Sequence, residues 1–312
     1  DEQSVGGTGL FACISTGAAI KNLGIGENSI IEGGDGTGSL VGNMKGGIIE
    51  NCYNEGLVTG IGGSFGTGGL IGVGEYGKIT NCYNTGMVKG VSDVGGIVGY
   101  VDKNFTIDNC YNCGMINASG LFVGGLVGLM YAGTITNSYN IGMISDGPLF
   151  VNAIVGATDM DPFVIKNCYY SKELTNIGEE ITNGISEKSV EEMKAASFIT
   201  LLNGGQNPIA WTADTRNING GFPILVWQSS PVTGIQNASE KTDCNIYVVD
   251  KSIVVECSEN VPCQMNVINL NGKIINSQTF LKNNSLNITD SGIYIVTVNI
   301  NSQQYTSKVV IK

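Results

Sequence analysis

Five tyrosines, Tyr53, Tyr83, Tyr111, Tyr139 and Tyr169, recur at one position of a repeated phrase. Each follows an Asn-Cys or Asn-Ser pair, so Asn51, Asn81, Asn109, Asn137 and Asn167 repeat with them, as do Cys52, Cys82, Cys110 and Cys168. A row of outward tyrosines could take up the apolar faces of sugar rings, with Asn54, Asn84, Asn112 and Asn140 beside them as donors and acceptors. The same slot also has a purely structural reading. Each ring would cover its neighbour's corner, and aromatic contact plus a phenol hydrogen bond would fasten the repeats together. The four cysteines are expected to be a buried, reduced ladder. Stacked thiols with parallel Cβ vectors stand about 4.8 Å apart, wider than the ~3.8 Å a disulfide requires.

Catalytic chemistry finds little support. The chain has no histidine, which excludes Ser/His and Cys/His nucleophiles and the histidine ligands of a zinc peptidase. Cys110-x-x-Cys113 is a lone pair without zinc partners, and Cys113 is expected to be exposed. Asp159 and Asp161 could form a carboxylate pair for glycoside hydrolysis, but flanked by Pro162 they read as turn residues. No catalytic residue, metal or cofactor is expected.

The elements that position the tyrosines follow from the repeat. The phrase GGLIGVGEYGKITNCYNTGMVKG at 68–90 returns at 38–60, 95–118 and 124–146, decays at 152–174, and has a weaker first copy upstream. Anchored on Asn22, Asn51, Asn81, Asn109, Asn137 and Asn167, the spacing is 28 to 30 residues. That length holds three short apolar runs broken by glycine. It suits three strands and three corners of one parallel β-helix coil, whereas a propeller blade needs about 40 residues. About six coils make a rod roughly 29 Å long. Asparagine tolerates the left-handed region and cysteine prefers burial. Asn81 is therefore read as a corner, with Ile79 and Cys82 pointing in and Tyr83 pointing out.

The phrase GGLVG…ITNCYNTG, over residues 6–174, resembles the GLUG repeat of bacterial surface and secreted proteins, including β-helical parts of some immunoglobulin-cleaving peptidases. The resemblance implies an extracellular, adhesin-like setting and no particular chemistry.

Composition divides the chain. Of the 46 glycines, 44 precede residue 235, and residues 1–234 carry the whole net charge of −11. Such an acidic array argues against nucleic acid or an anionic membrane surface as partner. No apolar run is long enough to span a bilayer. No signal peptide is legible at the start, as expected of an exported chain that has lost it.

The repeats occupy 1–174, and their first, irregular coil must protect the open end of the rod. A capping segment follows over 175–228, with one helix over 186–203. Ser189 and Glu192 form a capping box there, and Val190, Met193, Ser197 and Leu201 share a stripe beside Phe198 and Leu202. This helix should plug the far end of the core. The acidic residues Glu179, Glu180, Glu187, Glu191 and Glu192 read as capping rather than calcium ligands, because no loop has ligand spacing.

A linker at 229–234 leads to a domain at 235–312 with strands at 245–249, 252–257, 264–270, 273–279, 286–288, 293–300 and 305–311, and a turn at Asn271-Gly272. These strands suggest an immunoglobulin-like sandwich. Cys257 and Cys263 flank a short loop and could pair in an oxidising compartment. The run VINLNGKII…SGIYIVTVN…YTSKVVIK resembles the carboxy-terminal sorting domain of type IX-secreted proteins of the Bacteroidetes, which implies export or surface attachment.

The fold class is therefore all-β, a β-helix with a helical cap and a small sandwich. The expected function is a monomeric, non-enzymatic surface or secreted module binding an extracellular ligand, a glycan or a host protein. A stalk without a ligand and a glycan-active enzyme are the alternatives.

Overall fold

The computed structural model describes residues 6–62, 65–145, 149–159, 162–179, 183–229, 244–249, 251–257, 261–269, 273–300 and 303–311. The chain divides into two compact units, 1–230 and 231–312. The expected linker falls almost wholly outside the described residues, as do Asn271-Gly272, Glu180 and Asp161.

The first unit is a parallel β-solenoid. Its coils carry four strands rather than the three read from the apolar runs. One coil runs through Phe65–Gly68, Ile71–Glu75, Lys78–Asn84 and Val88–Gly90. The strand missed is Phe-Gly-Thr-Gly, whose buried residues are too small to show as an apolar run. One ladder stacks six strands, from Phe11–Ser15 to Val155–Thr158. Six strands are joined by five steps, so six repeat copies give about five turns. The repeat register is kept without slippage: Ile79 pairs with Ile107, Cys82 with Cys110, Tyr83 with Tyr111 and Asn84 with Asn112.

Each repeated residue type has a physical task. Asn22, Asn51, Asn81, Asn109, Asn137 and Asn167 all take φ between 51° and 54°, turning the chain in the left-handed region that asparagine tolerates. That corner lets Ile79 and Cys82 both face inward, and Cys52, Cys82, Cys110 and Cys168 are free and buried in the core. Cys82 Sγ donates to Thr80 O at 3.1 Å and accepts from Cys52 N at 3.3 Å. Ser138 does the same work in its coil, donating to Thr136 O at 2.7 Å and accepting from Cys110 N at 3.0 Å. A small side chain that can both accept and donate is what the slot needs.

Inside the rod runs a second asparagine ladder. Asn54 donates to Asn84 Oδ1 at 2.8 Å, Asn84 to Asn112 Oδ1 at 2.8 Å, and Asn112 to Asn140 Oδ1 at 2.9 Å. In the last coil Tyr170 replaces the asparagine, and Asn140 donates instead to Ala153 O at 2.9 Å. Each amide also binds the glycine two residues on, as Asn112 does to Gly114 N and O at 3.2 and 3.0 Å. A methyl group at Gly69, Gly96 or Gly125 would collide with Asn84, Asn112 or Asn140. The second glycine of the pairs at 68–69, 95–96 and 124–125 therefore makes room for a buried amide. These four asparagines are fully buried and cannot serve an external sugar.

The far end of the core is closed by residues within 171–179 and 183–187, not by the long helix. Ile185–Glu187 adds a strand to the last coil. Glu179 accepts from Ile154 N at 2.8 Å, and Thr175 O accepts from Ile144 N at 3.0 Å. At the opposite end, no element covers the first coil among the described residues, and Leu10, Phe11 and Ile30 are exposed there.

Among its described residues the second unit holds seven antiparallel strands. Cys244–Val249, Ser252–Cys257 and Asn283–Asn287 form one sheet; Ile274–Leu281, Pro262–Asn269, Gly292–Ile300 and Gln303–Ile311 form the other. Setting the first, second and fifth strands against the rest is an immunoglobulin-like division.

Asn112→Ala should destabilise the rod by about 3 kcal/mol, because the amides above and below each lose a partner in a site water cannot reach. Denaturant unfolding of the full chain measures it. A loss under about 0.5 kcal/mol would show the ladder to be dispensable.

Candidate ligand-binding site

Four of the five tyrosines stack as a column, and Tyr169 follows in backbone register with Tyr139. Ring centroids are 5.1 Å apart for Tyr53 and Tyr83, 5.0 Å for Tyr83 and Tyr111, and 5.1 Å for Tyr111 and Tyr139, close to parallel throughout. The column is not an open stripe. Residues 190–229 fold back along it and bury Tyr83, Tyr111, Tyr139 and Tyr169. Phe198 meets Tyr169 edge-on at 5.0 Å, Trp211 lies 5.3 Å from Tyr139, and Trp227 stacks on Tyr83 at 5.7 Å. Polar groups tie the cover down. Tyr139 OH donates to Pro223 O at 2.6 Å, Gln228 Nε2 to Tyr111 OH at 2.8 Å, and Trp211 Nε1 to Asn109 Oδ1 at 3.0 Å. Burial raises the phenols of Tyr111 and Tyr139 well above their usual range. Of the two readings of the tyrosine row, a face for sugar rings or a structural fastening, the burial fits the fastening: the rings face the protein's own chain, because stacked rings leave an apolar strip too wide to expose to water.

The single helix expected over 186–203 is two, Val190–Lys194 and Ala196–Asn203, broken at Ala195. Ser189 and Glu192 form the capping box at the start, and Gly204 ends the second helix in the left-handed region. The break rotates the second helix so that Phe198 and Leu202 join Met193 on the tyrosines, while Leu201 is left exposed. Cys113, expected at the surface, is half-buried under this cover, and burial pushes its thiol up to about 12.

An open site lies on another face. Asn43, Val73, Tyr100, Leu129 and Ala157 form a row in register along the ladder from Phe11–Ser15 to Val155–Thr158. Beside it runs a corner slot with left-handed backbone in five coils: Gly36, Gly66, Asp93, Phe122 and Phe150. Side chains in this slot lean over the row, since a Cβ at Gly66 would come within 2.8 Å of Val73. In the later coils the slot holds Phe122 and Phe150, stacked on each other at 5.3 Å. In the earlier ones glycine leaves it empty, and a groove of about 210 Å³ remains, lined by Asn43, Lys45, Phe65, Val73, Glu75, Tyr100 and Asp102.

Phe65 is 41% exposed and meets Tyr100 edge-on at 6.4 Å, and Tyr131 continues the aromatic wall 5.6 Å further. The rim is charged: Lys45, Glu75 and Asp102 are in register, and Lys103 Nζ lies 3.4 Å from Asp102 and 3.9 Å from Glu75. Asp93 is only 8% exposed, and burial pushes its carboxyl up to about 6. Burial and the Asp102 carboxylate push the Tyr100 phenol up to about 12. Aromatic faces, a buried amide and ring-facing carboxylates together suit a neutral or basic sugar. Phe65, Tyr100 and Asp93 escape a search for repeated residues, since none recurs in the other copies. Their signal is that they break the repeat.

Residues 63–89 match the model of the GLUG motif, and residues 248–312 match the Secretion system C-terminal sorting domain. No curated protein matches the chain. A sorting domain of this kind marks a secreted or cell-surface protein, and no helix among the described residues is long and apolar enough to cross a membrane.

Two outcomes follow from this geometry. Trp227→Ala strips the cover from Tyr53 and Tyr83 and should cost about 3 kcal/mol, with proteolysis quickened within 190–229. An unchanged unfolding midpoint would mean that the column needs no cover. For Asp93, the folded carboxyl titrates near 6 against 3.8 for the free group. Its neutral form therefore contributes fully below about pH 4, and that contribution is lost as pH rises through about 6. Asp93→Asn should match the wild type at pH 4 and exceed it at pH 7.5 by on the order of 1–2 kcal/mol. Equal stability at both pH values would show the carboxyl to be solvated.

Proposed function

We propose that the chain is a secreted or surface-displayed binding module that holds an extracellular glycan in the groove between Phe65, Tyr100 and the Lys45–Glu75–Asp102 rim. One observation carries this reading: an aromatic wall stays open where glycine corners leave room, although the fold covers its larger tyrosine column. The repeats and the sorting domain supply the setting, a rod delivered outside the cell. Binding without catalysis is favoured because the chain has no histidine and because Lys103 ion-pairs with both rim carboxylates.

The test is a glycan array probed with the full chain at neutral pH. Tyr100→Ala should weaken binding of any captured glycan about tenfold or more, the effect of losing roughly 1.4 kcal/mol of stacking. Tyr76→Ala, an exposed tyrosine outside the lining, should not. Capture that survives Tyr100→Ala together with Phe65→Ala would move the site elsewhere. A wild-type chain that captures no glycan leaves the rod as a spacer.

A further inference from the structure

Three thiols meet in the core of the second unit. Cys257 Sγ lies 3.2 Å from Cys244 Sγ and 3.6 Å from Cys263 Sγ, and all three residues are buried. Cys244 opens the first strand of one sheet, Cys257 closes the second, and Cys263 belongs to the other sheet. Cys257 is thus the shared neighbour of two alternative partners. Spacing alone suggests Cys257 with Cys263.

The backbone favours the other pair. Cys244 and Cys257 face each other across antiparallel strands. Cys257 N donates to Lys282 O at 2.7 Å, on the side away from Cys244. Along a strand the N–H and C=O of one residue point the same way, so this is a non-hydrogen-bonded pair. At such a pair the Cα atoms are about 4.5 Å apart and the side chains closest, within the range that a disulfide spans.

The surroundings do not suit a metal. Val255, Met265, Val267 and Val296 pack the same core, and no cluster of ligating residues among the described ones could hold an ion.

We infer that Cys244 and Cys257 are a disulfide-forming pair in the exported protein, with Cys263 placed as a third thiol able to exchange with them. The reaction is a two-electron oxidation by an external disulfide, for which glutathione disulfide serves in vitro. One cysteine thiolate attacks it, forming a mixed disulfide and releasing one glutathione. The second thiolate attacks the protein sulfur of that mixed disulfide, forming the Cys244–Cys257 bond and releasing the other glutathione. Both thiol protons leave with the two glutathiones. Exchange follows the same course: Cys263 thiolate attacks Cys257 sulfur and Cys244 leaves as thiolate.

Burial pushes Cys257 up to about 12 and Cys263 up to about 11. The folded core therefore presents little thiolate at neutral pH, so both the first bond and the exchange run faster while the sandwich is still open. The closed loop would tie the strand entering the domain, which begins ahead of the 248–312 match, to the strand behind it.

The test refolds the full reduced chain from denaturant with glutathione disulfide and maps cysteine peptides without reduction. The Cys244 and Cys257 peptides should be linked and Cys263 free to alkylate. The second unit should also melt several degrees higher than its reduced form. Cys263→Ser should keep that link, and Cys244→Ser should move it to Cys257–Cys263. A wild-type link between Cys257 and Cys263, or three alkylated thiols after oxidative refolding, would overturn the pairing. A Cys244→Ser chain with no link would overturn the exchange.

Discussion

An amide buried in a solenoid has no water to bind, so it must find its partners along the axis. The ladder from Asn54 to Asn140 meets that requirement by handing each Nδ2 proton to the oxygen of the next coil at 2.8 to 2.9 Å. A slip of one residue in any coil would break a link above and a link below, so the ladder holds every strand to one register. The glycines follow from it. Gly69, Gly96 and Gly125 pass too close to the amides for any Cβ, and Gly114 and Gly142 bind them through the backbone. Much of the repeat's odd composition thus traces to one polar group kept inside.

Locked register has a consequence on the outside. Once Asn84 sits above its copies, the preceding tyrosines must stack as well, and they do so at 5.0 to 5.1 Å. Stacking stabilises each coil junction but builds a continuous apolar flank, which would be an aggregation surface if left bare. Residues 190–229 answer that by running back along the rod and placing Phe198, Trp211 and Trp227 on successive rings. Their polar tips reach Asn109 Oδ1 and Asn81 O at the corners, so the cover is keyed to the coil spacing. The cap is a side wall, while the core end is closed separately through Glu179 and the strand Ile185–Glu187.

How much of this was legible differs by element. Asn81 as a left-handed corner, Cys82 inward and Tyr83 outward follow from residue preference and 28- to 30-residue spacing, and the coil shows all three. The capping box at Ser189 and Glu192 and the seven strands of the sandwich were equally readable. The fourth strand was not, because Gly-Thr-Gly is extended only through its neighbours above and below. Nor was the break at Ala195. Alanine favours helix, yet the chain breaks there, and Met193 and Phe198 on either side both pack into the tyrosine cluster. What covers an outward residue depends on a segment far away in sequence, which periodicity cannot report.

The same reasoning tells where a ligand site can lie in such a rod. Residues repeated from coil to coil are committed to stacking: the inner amides, the thiols, the corner asparagines and the tyrosines. A site must be assembled where copies differ. The corner slot of Gly36, Gly66, Asp93, Phe122 and Phe150 is such a place, since its occupant decides whether the neighbouring row is open or filled. Glycine suits the left-handed backbone there without strain, whereas phenylalanine adopts it at a cost of about 1–2 kcal/mol. The chain tolerates that strain in two later coils, and the groove lies beside the earlier ones. Between the glycine and phenylalanine corners stands Asp93, a buried carboxyl that acts on the Tyr100 phenol. One slot with three residue types therefore gives the rod a groove with an end, and a groove with an end can select for length as well as for chemistry.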